Sequence, residues 1–116
     1  MKLTDNRIPA LLRKIVALLV TQNFGAVDEC SHGVRLTSEE IRQAVVDYGR
    51  KLIMPPDSAF AELDAVQVVY AAHPTWSIRF NLWTEEEGRS DLTLECSVID
   101  RGGEALDVEI DNLHVL

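Results

Sequence analysis

Three features of the sequence predict an α+β fold, two helices followed by an antiparallel sheet. Near the N-terminus Ile8, Leu11, Leu12, Ile15, Val16 and Leu19 recur every three or four positions, the rhythm of a helix with one buried face. Thr37-Ser38-Glu39-Glu40 reads as a capping box opening a second helix. The second half then alternates oily and polar residues. Trp76, Ile78, Phe80 and Leu82 oppose Ser77, Arg79 and Asn81; Leu92, Leu94, Cys96 and Val98 oppose Asp91, Thr93, Glu95 and Ser97; Leu106, Val108 and Ile110 oppose Asp107, Glu109 and Asp111. Period two marks half-buried strands, so even-numbered side chains from Trp76 to Ile110 should point inward and odd ones to water.

The first helix is expected over about residues 6–23, capped by Asp5 or Asn6, with Pro9 harmless in its first turn and Gly25 able to take a positive φ at its end. Residues 25–36 lack periodicity and read as a loop or an irregular extended segment. The second helix is expected over about 38–53, with Ile41, Val45, Tyr48 and Leu52 on one side. Gly49 weakens that helix by roughly 1 kcal/mol or marks its end, and Pro55-Pro56 stops any continuation. Asp57 or Ser58 can cap a short turn through Leu63.

A first strand is expected over Ala65–Ala72, with Val66, Val68 and Tyr70 on one side. His73-Pro74 turns the chain into strands over Thr75–Thr84, Ser90–Ile99 and Ala105 to the C-terminus. The short connections at 85–89 and 100–104, with Gly88 and Gly102-Gly103, point to a four-stranded antiparallel meander. Residues 1–116 thus read as one α+β domain with the helices laid across one side of the sheet. A cone-shaped sheet, as in cystatin-like and nuclear-transport-factor-like domains, is a specific version of this arrangement. Trp76, Phe80, Leu94, Val108, Leu12 and Ile41 should share the core.

Eleven Lys and Arg against nineteen Asp and Glu give a formal charge of −8. Binding to phosphate backbones or anionic lipid needs clustered cations, so neither nucleic acid nor a membrane surface is an expected partner. A basic protein is. The longest unbroken oily run in the first helix, Ile15 to Val20, is far short of the ~20 residues that span a bilayer and of a signal-peptide core. A cytoplasmic setting is expected, with Cys30 and Cys96 as free thiols.

The run Asn81-Leu82-Trp83-Thr84-Glu85-Glu86-Glu87-Gly88-Arg89-Ser90-Asp91-Leu92-Thr93-Leu94 resembles the signature of a family of small bacterial proteins of uncharacterised function. Leu12 to Leu18, Asn23-Phe24, Asp47-Tyr48-Gly49 and Leu52 to Pro55 are similar in order. The resemblance bears on fold and implies no activity. Phe60 stands where the family pattern places a tryptophan after the proline.

The hairpin Trp83–Leu94 is the leading candidate for a functional surface. Trp83 has the outward phase, and pairing around the 85–89 turn would set it beside Asp91, Asn81 beside Thr93, and Arg79 beside Glu95. Trp83 with Arg89, Ser90 and Asp91 could anchor a partner. Alternatively Ser90 and Asp91 cap the turn, Arg89 neutralises the glutamate run, and Trp83 lies under the N-terminal loop. The same face is acidic: the register would oppose Glu95 to Glu109 and Ser97 to Asp107, with no histidine in phase. Such a face suits either solvent or a basic protein. Cys30-Ser31-His32 lacks an orienting third group for nucleophilic catalysis. No phosphate loop, dinucleotide fingerprint, metalloprotease helix or serine elbow occurs, so no cofactor, metal or catalytic set is expected. The function predicted is a non-enzymatic module, of which an immunity protein is one concrete form, binding a basic protein through Trp83, Arg89, Ser90, Asp91, Glu95 and Glu109. The alternative is a small-ligand binder or minor enzyme with a pocket between sheet and helices, lined by Tyr48, Tyr70 and the two tryptophans.

Overall fold

The computed structural model describes residues 5–32 and 35–116. Helix α1 (Arg7–Val20) buries Ile8, Leu12, Ile15, Val16 and Leu19, and leaves Leu11 half-buried. Its start is fixed by the Asp5 carboxylate, which accepts the Arg7 backbone N–H at 3.0 Å. It ends early because Gln22 takes a left-handed φ of 60° and Asn23 caps a new helix, accepting the Ala26 N–H at 3.3 Å.

That helix, α2 (Phe24–Ser31), occupies most of the expected loop, and Gly25 lies inside it rather than ending α1. Eight residues burying only Val27 and Ser31 are too few to show a period. Gly33 and Val34 of the expected loop lie outside the described residues. Helix α3 (Ser38–Tyr48) opens on the predicted capping box, Thr37 accepting the Glu40 N–H and Glu40 accepting the Thr37 N–H, both at 3.2 Å. It stops at Gly49, whose φ of 72° ends the helix five residues before the expected boundary.

The strands are β1 (Leu52–Ile53), β2 (Asp64–Gln67), β3 (Thr75–Thr84), β4 (Gly88–Ile99) and β5 (Asp107–Val115), in one antiparallel sheet. β1 and β2 both pair with the outer edge of β3, which is followed by β4 and β5. Between them α4 (Asp57–Ala61) detours away from the edge. Its Phe60 is fully buried, stacked on Phe80 at 5.0 Å between centroids, with the Arg13 guanidinium 4.5 Å above its ring.

The parity expected of the three long strands holds through Ile110. Ile78, Phe80, Leu82, Leu92, Leu94, Cys96, Val98, Val108 and Ile110 join the α1 stripe and Ile41 in one apolar core. Arg79, Glu95 and Glu109 lie on the other face. Trp76, at the outer end of β3, is only half-buried. The first strand is shorter than expected, and its even-numbered position Val66 faces away from the core. Ala65 faces Ile78 on the core side, while Val66 faces Ser77 and is 62% exposed. A one-residue offset exchanges the two faces of a strand, and Tyr70, with φ 64°, stands fully in solvent beyond its end. Among the described residues no helix is long and apolar enough to cross a membrane.

Candidate functional site

The helices cover one face of the sheet, and the other carries polar side chains in cross-strand rows. Trp83 faces Arg89; Asn81, Thr93 and His114 form the next row; Arg79, Glu95 and Asn112 follow; then Ser77, Ser97 and Glu109. Two breaks in register shape this surface, one between β3 and β4 and one between β4 and β5.

The first break corrects the expected hairpin. Asn81–Thr93 and Arg79–Glu95 pair as anticipated, but Trp83 faces Arg89 instead of Asp91. Ser90, Asp91 and Leu92 therefore stand opposite Leu82 alone. The Ser90 hydroxyl spans the gap, donating to the Leu82 carbonyl at 2.6 Å and accepting the Leu92 N–H at 3.2 Å. Ser90 is buried and bridges the two strands. Trp83 is half-buried, its ring lying 3.7 Å from where a Cβ on Gly88 would sit.

The turn is capped by Thr84, which accepts the Glu87 N–H at 3.1 Å, a task expected of Ser90 and Asp91. The glutamate run holds the α3–β1 connection. Glu86 accepts the Lys51 N–H, Glu87 accepts the Tyr48 hydroxyl at 2.9 Å, and Glu85 lies 3.6 Å from the Lys51 ammonium. Burial first, and Glu87 second, hold the Tyr48 phenol above its ordinary range. Arg89 makes no ion pair with these glutamates; it donates to Asn81 Oδ1 at 2.9 Å.

The second break corrects the acidic face. Ser97 faces Glu109 and Asp107 faces Ile99 because the β4–β5 loop is longer than the five residues expected, and the break then sets Glu95 opposite Asn112. Arg7 anchors that loop through Asp100 and the carbonyls of Gly103 and Glu104. Asp111 is the extra residue of a β-bulge, after which Leu113 turns into the core and His114 onto the open face. Bulges re-aim side chains in this way. His114 Nε2 meets Glu95 Oε1 at 2.8 Å, so a histidine does share this face, and Glu95 turns to it instead of to Arg79. Arg35 lies 3.4 Å from Glu109 and 2.9 Å from Asp111, while Ser97 donates to Asp111 at 2.6 Å. Glu95 and Glu109 are thus partnered within the chain.

The same is not true of one corner. A cleft of about 460 Å³ opens where α4 leaves the sheet edge, lined by Glu62 and Asp64 on one side, Arg79, Asn81 and Trp83 from β3, and Arg89, Asp91 and Thr93 from β4. Five of the eight arginines (Arg7, Arg13, Arg35, Arg42, Arg101) are ion-paired. Arg79 and Arg89 have no carboxylate within 4.0 Å among the described residues, and neither Glu62, Asp64 nor Asp91 has a cation there. Asn81 is fixed at the centre, donating to the Ser90 carbonyl at 3.0 Å and to Thr93 Oγ1 at 3.4 Å. Of the residues predicted from sequence, Trp83, Arg89 and Asp91 meet in this cleft; Ser90, Glu95 and Glu109 do not line it.

Residues 16–116 match the family described as a domain of unknown function, DUF7668. The chain belongs to that family. The matched DUF7668 span contains every residue lining the cleft. No curated protein and no solved structure matches the chain.

Elsewhere, Cys30, now in α2, and His32 line a second cavity of about 430 Å³ with Arg7, Lys14 and Glu29. Both cysteines are free thiols. Neither Tyr48 nor Trp76 lines this cavity, the cleft or the third cavity, formed by residues 67–74, and Tyr70 is remote from the core. Between the sheet and the helices lies the apolar core. Glu62, Asp64, Arg79 and Asn81 line the cleft but are not among the residues predicted from sequence. Arg79 and Asn81 share the odd phase of Trp83 and were findable by parity; His114 owes its place to a single inserted residue.

Proposed function

We propose that the protein is a non-enzymatic interaction module that binds a basic partner protein, as an immunity protein does, through the cleft end of its open sheet face. One observation carries this reading: five charged side chains, Glu62, Asp64, Arg79, Arg89 and Asp91, converge on one cleft without ion-pair partners among the described residues. Carboxylates elsewhere on the face are partnered internally, so Glu95 and Glu109 act here through the fold and the three rim carboxylates face the partner's cations. The net charge of −8 steers a basic protein toward the surface, and the half-buried Trp83 supplies a rigid apolar anchor. The hairpin Asn81–Leu94 is, on this reading, the signature of a bacterial family acting in the cytoplasm, where free thiols persist.

Co-purification from the native host tests the proposal. It should return a stoichiometric basic partner whose binding weakens as salt is raised, and Trp83→Ala or the pair Asp64→Asn and Asp91→Asn should reduce recovery at least about tenfold. No partner, or one indifferent to all three substitutions, defeats it. The cavity size favours a second reading, a small-ligand site, since about 460 Å³ lies within the range of ligand pockets; a metabolite retained without any protein partner selects that one.

A further inference from the structure

Resting on the reading of the cleft as the binding surface, we infer that Arg79, Asn81 and Arg89 form a carboxylate-recognition subsite, and that the ligand is a peptide carboxylate flanked by cations. Arg89 is aimed by an amide, Asn81 Oδ1 at 2.9 Å. A carboxylate in that role would orient the guanidinium and consume its charge; an amide orients it and leaves the charge for a ligand. The amide itself cannot rotate freely, because its nitrogen is held by the Ser90 carbonyl and Thr93 Oγ1. Pre-organisation of this kind lowers the entropy lost on binding. Arg79 stands two residues along the same strand with the same outward phase, so two unpaired forks flank one fixed amide.

The rim selects among anions. Asp64 and Glu95 are the cross-strand neighbours of Arg79, Glu95 being turned to His114, and Glu62 and Asp91 line the same cleft as Asp64. Three carboxylates repel a phosphate dianion, but accept a single carboxylate whose neighbours are lysines or arginines. Guanidinium forks match carboxylates bidentately. The occupant is therefore a basic segment with one acidic side chain at its centre.

The test uses the folded chain, ¹⁵N-labelled, titrated with two acetylated and amidated tripeptides, Lys-Glu-Lys and Lys-Gln-Lys, and separately with inorganic phosphate. The glutamate peptide should shift the amides of Arg79, Asn81 and Arg89 and the Trp83 indole saturably, with a Kd at least about tenfold below that of the glutamine peptide. Arg79→Gln with Arg89→Gln should make the two peptides equal, while the amide spectrum elsewhere stays unchanged. Arg89→Lys keeps the charge without the fork and should recover only part of the preference. Equal binding of both peptides by the unsubstituted protein, tighter binding of phosphate, or no saturable shift overturns the subsite. The outcome is separable from the broader proposal: a partner still recovered by the double glutamine variant leaves the interaction module standing and removes the carboxylate.

Discussion

Ser90 shows how one hydroxyl decides a surface. Where β4 carries three residues against one of β3, no regular ladder can satisfy Leu82 and Leu92, and the Ser90 side chain replaces the missing backbone pairing. Ser90→Ala should lower stability by about 1–3 kcal/mol, the cost of a buried carbonyl left unsatisfied, read as a shift in urea midpoint at constant slope. A midpoint unchanged from wild type would mean the carbonyl finds another donor. Cys96 offers a titration instead. Burial pushes its thiol up to about 12 from 9.0, with the Asp111 charge adding to the effect. A folded value above the unfolded one gives a contribution that is whole below 9.0 and fades as pH rises toward 12. Between those limits wild type should lose stability more steeply than Cys96→Ala. Parallel curves would show that the thiol ionises in the folded protein as readily as in the unfolded one.

At the scale of elements, what the sequence displayed depended on length and repetition. The α1 stripe, the Thr37 capping box and the alternation in β3 and β4 repeat often enough to be read, and the structure keeps them. α2 is two turns long with two buried residues, too short for a period to emerge. β2 contains only four paired residues, so its apolar run could be assigned to either face, and β3 rather than hydrophobicity fixes which. The bulge at Asp111 has no composition of its own, yet it moves His114 across the sheet. The cleft was half legible for the same reason. Trp83, Arg89 and Asp91 come from one readable hairpin, whereas Glu62 and Asp64 arrive on a detour whose direction no local pattern encodes. Hairpin geometry in turn depends on Gly88, whose φ of 72° returns the chain beneath the Trp83 ring. Gly88→Ala meets the ring at ordinary contact distance, so backbone strain is the main cost, about 1–2 kcal/mol. Thermal unfolding should fall by several degrees and the Trp83 fluorescence should shift; an unaltered Tm would place the strain elsewhere.

For the whole molecule the core runs without interruption from α1 through the Phe60–Phe80 stack to the sheet. Phe60→Ala should therefore cost about 3–5 kcal/mol, and Trp76→Ala less than the 3–5 kcal/mol a fully buried tryptophan would imply, since Trp76 is only partly buried. Around this core, charge works in two opposing ways. The molecule measures 38 × 28 × 24 Å and carries a net −8. At about 0.01 M salt the screening length is roughly 30 Å, so every carboxylate feels every other; at about 0.15 M it is near 8 Å and only neighbours interact. Screening therefore removes most of the self-repulsion. It also weakens the ion pairs, but Arg13–Asp57, Arg42–Glu39, Lys51–Glu85 and Arg101–Asp107 are largely exposed, and such pairs contribute about 0–1 kcal/mol each. Relief of repulsion should win. Raising NaCl from about 0.01 to 0.15 M should increase Tm by a few degrees in the isolated protein, while weakening binding of the basic partner proposed above. Opposite responses of stability and binding to one variable are the signature expected of an acidic surface kept unneutralised for recognition, and a Tm that falls with salt would show that the internal ion pairs, not the net charge, dominate the electrostatics of the fold.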